Sequence, residues 1–348
     1  MSNASDLQSI LQENLYLTKR RELLSQIEEE LSKAFNEKLS VASYIANTLD
    51  TAVAGYTTMS LAHVTYLDDL IRTASVGAGS VALILESYGG EATFPSEIIQ
   101  RAKKYCKSFY VIVVNVAKSA GTLLSLLSDG IIALETASFG PIDPQIVIST
   151  QQGPQVVSAR QIKELIEVTL PNYIKSRDPA ERAAILGSQN YVLYQQALDA
   201  IKLVQNTVDQ QLKGRLTPAQ IQEVKKKLVD VPLSHEIKVT PDDLEDLGFE
   251  LHTLKANEEL GAVLIQYHRR ALRSLMAEVP PGNKGLILFE NKKVSFQIVA
   301  QIFMQPLPGT ARPQQQVMPP QSQGERKAPP SGSPEHTSSG SLPEDTLM

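Results

Sequence analysis

Ser119 stands in the run AKSAGTLLSL, between a β-branched apolar stretch and a leucine-rich one. A serine at a strand-to-helix junction can act as a nucleophile. The sharp turn exposes its oxygen, and the first amides of the helix have no partner within it. Ala120 supplies one such amide, and Ala120 and Gly121 are small enough to let a substrate backbone approach. The Gly89-Gly90 pair ends a neighbouring apolar run, SVALILESYGG, where glycine's freedom in φ lets an N–H turn toward the same point. Donors at Gly89, Gly90 and Ala120 would form an oxyanion hole, the device that acyl transfer requires. Taken singly, Ser-Ala-Gly reads as close packing and Gly-Gly as a turn.

The elements that must position these residues follow from the apolar pattern. Ser80 to Gly90 is a short apolar run closed by glycines, as in a buried parallel strand. A helix should follow, with Pro95 in its first turn and Ile98, Ile99, Ala102 and Tyr105 on one side. FYVIVVNV, Phe109 to Val116, is a second strand, and TLLSLL a second helix. IIALETASFG is a third strand. Alternating strands and helices imply right-handed βαβ units, a parallel sheet and an α/β fold.

Residues 5–38 read as a packing helix, with Leu24, Ile27, Leu31 and Phe35 at helical spacing. Residues 158–228 read as helical, carrying the stripe Leu193, Ala197, Ile201, Val204, Val208 and Leu212 and a capped start at Thr217-Pro218. VTPDDLEDLGFEL is a further helix, capped by Thr240 and stopped at Gly248. The expected organisation is an N-terminal helix in 1–40, a catalytic domain in 41–305 with the helical segment 158–228, and a disordered Pro/Gln/Ser-rich tail in 306–348.

Composition excludes several classes. A net charge of −5 disfavours nucleic acid as a partner, and the single cysteine, Cys106, excludes a disulfide framework and a cysteine-clustered metal site. No cluster of His, Cys and acids has ligand spacing, so neither metal nor organic cofactor is expected. The N-terminus has no apolar stretch of signal-peptide length. The most apolar region, Tyr110 to Leu134, is broken by Lys118, Ser119, Ser128 and Asp129. The expectation is a cytoplasmic protein without an integral membrane segment.

The succession LILESYGG, VVNVAKSAGTLLSLLSDGIIAL and FGPIDPQI resembles the serine dehydrogenase proteinase family, relatives of signal peptide peptidase A and the Clp proteolytic subunit, with GPIDPQ intact from Gly140 to Gln145. The similarity extends through LSHEIKVTPDDLEDLGFEL to Leu251. It implies a ClpP/crotonase fold of repeated ββα units, a serine endopeptidase acting through an acyl-enzyme on Ser119, a peptide or unfolded-protein substrate, and a homo-oligomer. Lys118 and Glu86-Ser87-Tyr88 depart from the family's usual small residues, and Tyr88 would narrow the substrate groove.

The resemblance also suggests bases. Of five histidines, His235 falls where the Clp subunit carries its triad aspartate, and Asp143 falls near that subunit's histidine. Ser119, Asp143 and His235 would then form a triad with acid and base exchanged in chain order. A Ser-Lys dyad, as in signal peptide peptidase A, would use Lys163 or Lys175. Two further readings stay open: a non-catalytic oligomeric scaffold, and a crotonase-like acyl-CoA enzyme that would not need Ser119.

Overall fold

The computed structural model describes residues 4–150, 153–187, 190–230, 238–277, 279 and 282–301. The tail expected in 306–348 and His235 lie outside the described residues. The N-terminal helix α1 spans Ala4–Phe35, and Asn36 ends it with φ 47°, a left-handed conformation that asparagine tolerates. Strand β1 (Leu39–Ala46), helix α2 (Val64–Ser75), β2 (Ser80–Ser87), α3 (Phe94–Tyr105), β3 (Phe109–Ala117), α4 (Ala120–Leu127) and β4 (Gly130–Leu134) then alternate. The single strand expected in IIALETASFG is two pieces, because a turn at Glu135-Thr136 separates β4 from the short β5 (Ser138–Phe139).

A two-stranded hairpin, β6 (Gln145–Thr150) and β7 (Gly153–Ser158), precedes the helical segment. That segment holds α5 (Ala159–Glu164), continued by a π-helical turn, then α6 (Leu170–Ile174), α7 (Pro179–Gly187), α8 (Tyr191–Leu212) and α9 (Pro218–Val224). The chain closes its described part with α10 (Pro241–Asp246), β8 (Leu251–Leu254), α11 (Glu259–Ala277), β9 (Asn283–Asn291) and β10 (Ser295–Gln301). The caps expected at Thr217 and Thr240 are full capping boxes, with Gln220 and Asp243 as their reciprocal partners. Gly248, with φ 93°, ends α10 as expected.

The main sheet runs β10-β9-β1-β2-β3-β4-β8, parallel from β1 to β8 and antiparallel at the β9–β10 edge, with β5 paired to β3. Strand side chains alternate between its two faces. Leu83, Leu85, Val111 and Val113 pack with residues of α2, α3 and α4, while Ala82, Ile84, Ile112 and Val114 pack with α1 and α11. Helices on both faces leave β1 to β4 almost wholly buried, which is why they read as apolar runs rather than alternating ones. The β9 strand is fastened by Glu290, fully buried, which meets Arg20 of α1 at 3.0 Å and the Tyr267 hydroxyl of α11 at 3.0 Å.

Cys106 caps α3 in a half-buried position, and burial with the nearby Asp129 charge pushes its thiol up to about 12. Because the thiolate is the reactive form, alkylation by iodoacetamide at pH 8 should run at least ~10-fold slower than for an ordinary thiol. Alkylation of the native protein at the rate of the denatured chain would contradict this placement.

Candidate active site

Strand β3 leads into α4 through Lys118 and Ser119. The backbone bends sharply there: Ser119 has φ 51° and ψ −114°, outside the regions comfortable for a residue with a Cβ. Such a conformation costs of order 1–3 kcal/mol and persists only where its surroundings impose it. The Lys118 carbonyl accepts the Gly121 amide at 2.8 Å, and the Ser119 carbonyl accepts that of Leu123 at 2.9 Å. A serine before a helix ordinarily caps it with its own oxygen. Ser119 makes no such cap bond, and its half-buried side chain faces a cavity of about 370 Å³.

The turn after β2 touches this serine. Gly89 has φ 107°, and a Cβ added to it would lie 2.7 Å from Ser119 Cβ and 3.2 Å from the Ala120 amide nitrogen. Only glycine fits. Gly90 is equally constrained, since a Cβ there would overlap the backbone of Met59, which brackets it through Met59 N–H to Gly89 O and Glu91 N–H to Met59 O, both 2.8 Å.

One expectation needs correction. The Gly89 amide donates to Ser87 Oγ at 3.0 Å and is therefore already committed. Gly89 shapes the turn. Among the described residues the amides of Gly90 and Ala120 donate to no protein acceptor, and both residues line the cavity. Gly121 does not serve substrate approach either: it is buried, and a Cβ on it would meet Ala117 Cβ at 3.4 Å, so its small size serves the packing of α4 on β3.

The GPIDPQ segment is locked to the start of α4. Thr122 Oγ1 accepts the Gly140 amide at 3.0 Å and shares its proton between the carbonyls of Ala117 at 2.7 Å and Gly140 at 2.9 Å. Lys118 lays its methylenes over Gly140, where a Cβ would come within 3.0 Å of Lys118 Cγ. The Ile142 amide reaches the Leu228 carbonyl at 2.7 Å, and that of Ala159 reaches Pro144 O at 2.8 Å. Asp143, 4% exposed, is thereby brought to the wall of the same cavity as Ser119. Leu123, Ile142 and Leu203 with Val204 of α8 make much of that wall apolar, and Tyr88 also lines the cavity. Burial and the Glu86 charge hold the Tyr88 phenol above its ordinary range.

Lys163 and Lys175 are not in this wall. Lys163, half-buried, has its Nζ 3.9 Å from Glu167, and Lys175 is exposed. Val239, the second described residue after the stretch containing His235, pairs with Phe139 through two hydrogen bonds of 2.8 and 3.0 Å, immediately before Gly140.

Sequence reasoning assigned no structural role to Glu86, although a carboxylate inside an otherwise apolar strand was its signal. It is fully buried on the far face of β2. The β2–β3 register passes from Leu85↔Val113 to Ser87↔Ala117, so two steps on β2 oppose four on β3. Glu86 fills the resulting gap: it accepts the Val116 amide at 3.0 Å, Asn115 Nδ2 at 2.8 Å and Thr48 Oγ1 at 2.7 Å. The carboxylate thus replaces missing ladder bonds and fixes the two strand ends that carry Gly89-Gly90 and Ser119.

Over residues 13–274 the chain matches the family described as ClpP-like SDH-type serine proteinase. The chain belongs to that family. Two relatives, both uncharacterized proteins of Methanocaldococcus jannaschii, are 29% and 28% identical over 173 residues, half of this chain and 54% and 52% of theirs. The chain thus spans about half the length of the curated relatives it matches. Among solved structures, a mutant of the 1510-N membrane-bound stomatin-specific protease aligns with 14% identity and a TM-score of 0.37, over 60% of this chain and 79% of that one. ClpP1 from Listeria monocytogenes aligns with 10% identity and a TM-score of 0.36, over 66% and 98%. Among the described residues no helix is long and apolar enough to cross a membrane.

Proposed function

We propose that this chain hydrolyses peptide bonds through an acyl-enzyme on Ser119. The observation that carries the reading is the uncapped Ser119 hydroxyl, facing a cavity beside two amides without protein acceptors. Ser119 Oγ attacks the scissile carbonyl carbon and gives its proton to a base. The carbonyl oxygen takes up the electron pair as an oxyanion, held by the N–H groups of Gly90 and Ala120. Collapse expels the amine, which leaves with that proton, and water then releases the acyl group by the reverse proton path.

The proposed base is His235, oriented by Asp143. Its support is connectivity: His235 is four residues from Val239, a reach of at most about 14 Å, and Val239 is bonded beside the segment that holds Asp143. The apolar wall favours a substrate with an apolar side chain next to the scissile bond. Exposed Tyr173, Leu186, Tyr191 and Val192 on the helical segment support self-assembly, which sedimentation of the full chain would test.

The test is to treat the protein with a fluorophosphonate and map the adduct by peptide mass spectrometry. Modification at Ser119 supports the hydrolase. No adduct on the folded protein would favour the scaffold. Gly90→Ala should lower the labelling rate by about 10²-fold or more, because the Met59 backbone forces the turn, with its donor, away from the serine. Labelling of that variant at the wild-type rate would remove Gly90 from the oxyanion hole.

A further inference from the structure

A second cavity of about 370 Å³ opens on the other face of the sheet, between the ends of β3 and β4 and helix α11. Leu134, Ile265 and Leu272 give it an apolar wall, and Asn115 and His268 a polar one. Arg269 and Arg273 also line it, exposed and one turn apart on α11, so they project from the same side of the helix. Among the described residues neither guanidinium has a carboxylate within ion-pair distance, although the chain as a whole is acidic, with 38 Asp and Glu against 33 Lys and Arg. Glu86 does not neutralise them. It is fully buried behind the cavity, holds three donors, and stands 3.0 Å from His268 Nε2, at ion-pair distance though not aligned as a hydrogen bond.

An open apolar wall flanked by two guanidinium groups that have no ion-pair partner among the described residues is a complementary surface for one chemical class. We propose that this cavity binds a small organic monocarboxylate with an aliphatic body. The carboxylate would meet the Arg269 and Arg273 forks, which match its two oxygens in a way an ammonium does not, and the hydrocarbon would lie on Leu134, Ile265 and Leu272. The volume falls within the range of ordinary small-molecule sites. The site is independent of Ser119, which faces the other side of the sheet.

Calorimetric titration of octanoate into the full chain tests this. Wild type should bind saturably at one site, and Ser119→Ala should bind equally well. Arg269→Gln/Arg273→Gln, two exposed changes, should weaken binding at least ~10-fold while leaving fluorophosphonate labelling intact. Octanol and inorganic phosphate should each bind at least ~10-fold more weakly than octanoate, because each lacks half of the recognised chemistry. Absence of saturable binding, undiminished binding by the double variant, or equal binding of octanol or phosphate would each overturn the proposal.

Discussion

Ser119→Ala is expected to lower peptide hydrolysis by about 10⁴-fold or more and to abolish fluorophosphonate labelling, without loss of folded protein. The size follows from chemistry, since without the hydroxyl no acyl-enzyme forms, and only binding and the two amides remain to assist water. Stability should not fall, because Ser119 Oγ caps nothing and alanine leaves the packing of α4 unchanged. Relief of the backbone is not expected, as alanine keeps a Cβ and hence the cost of φ 51°. The check is a turnover assay beside a thermal melt. Retained turnover would move the chemistry elsewhere. Retention of acyl-CoA turnover in particular would favour the crotonase reading.

Glu86→Ala is expected to destabilise the protein by about 2–5 kcal/mol, because it empties a fully buried site, leaves the Val116 amide without its acceptor and strips a partner from Asn115, Thr48 and His268. Glu86→Gln separates stability from positioning. Its amide keeps the volume and one acceptor but turns an NH₂ toward a second donor, at a cost of about 1–3 kcal/mol. The protein should still fold, with the strand ends displaced. Misplacement of a reacting group by about 1 Å is worth about 10²-fold, so the Gln variant should label ~10²-fold more slowly, with KM for a peptide little changed and the loss in kcat. A folded Gln variant with wild-type kcat would show that the Glu86 cluster is structural only.

The sheet was legible because β2, β3 and β4 are apolar runs bounded by glycine or polar turns, and buried parallel strands have no other way to look. The Ser119 junction and the capped helices at Thr217 and Thr240 were readable for the same reason: their signals are local. What escaped is non-local. The β9–β10 edge depends on Glu290 meeting Arg20 across 270 residues, and no spacing rule anticipates that pair. The β6–β7 hairpin has no turn signal of the Asn-Gly kind at its tip.

The Gly89-Gly90 turn was legible, but which of its amides lacks a protein acceptor was not. That depends on Ser87 capturing the Gly89 N–H, a side-chain choice invisible to the pattern. Glu86 illustrates the converse. Its charge in an apolar strand was visible, yet its purpose depends on a bulge in β3 that the sequence does not announce.

The measurement that bears most directly on the catalytic account is a crystal structure of the fluorophosphonate adduct. The account predicts phosphorus bonded to Ser119 Oγ, with its phosphoryl oxygen within about 2.7–3.1 Å of both the Gly90 and Ala120 amide nitrogens. An adduct oxygen directed to solvent, with both amides bound to other groups, would contradict it.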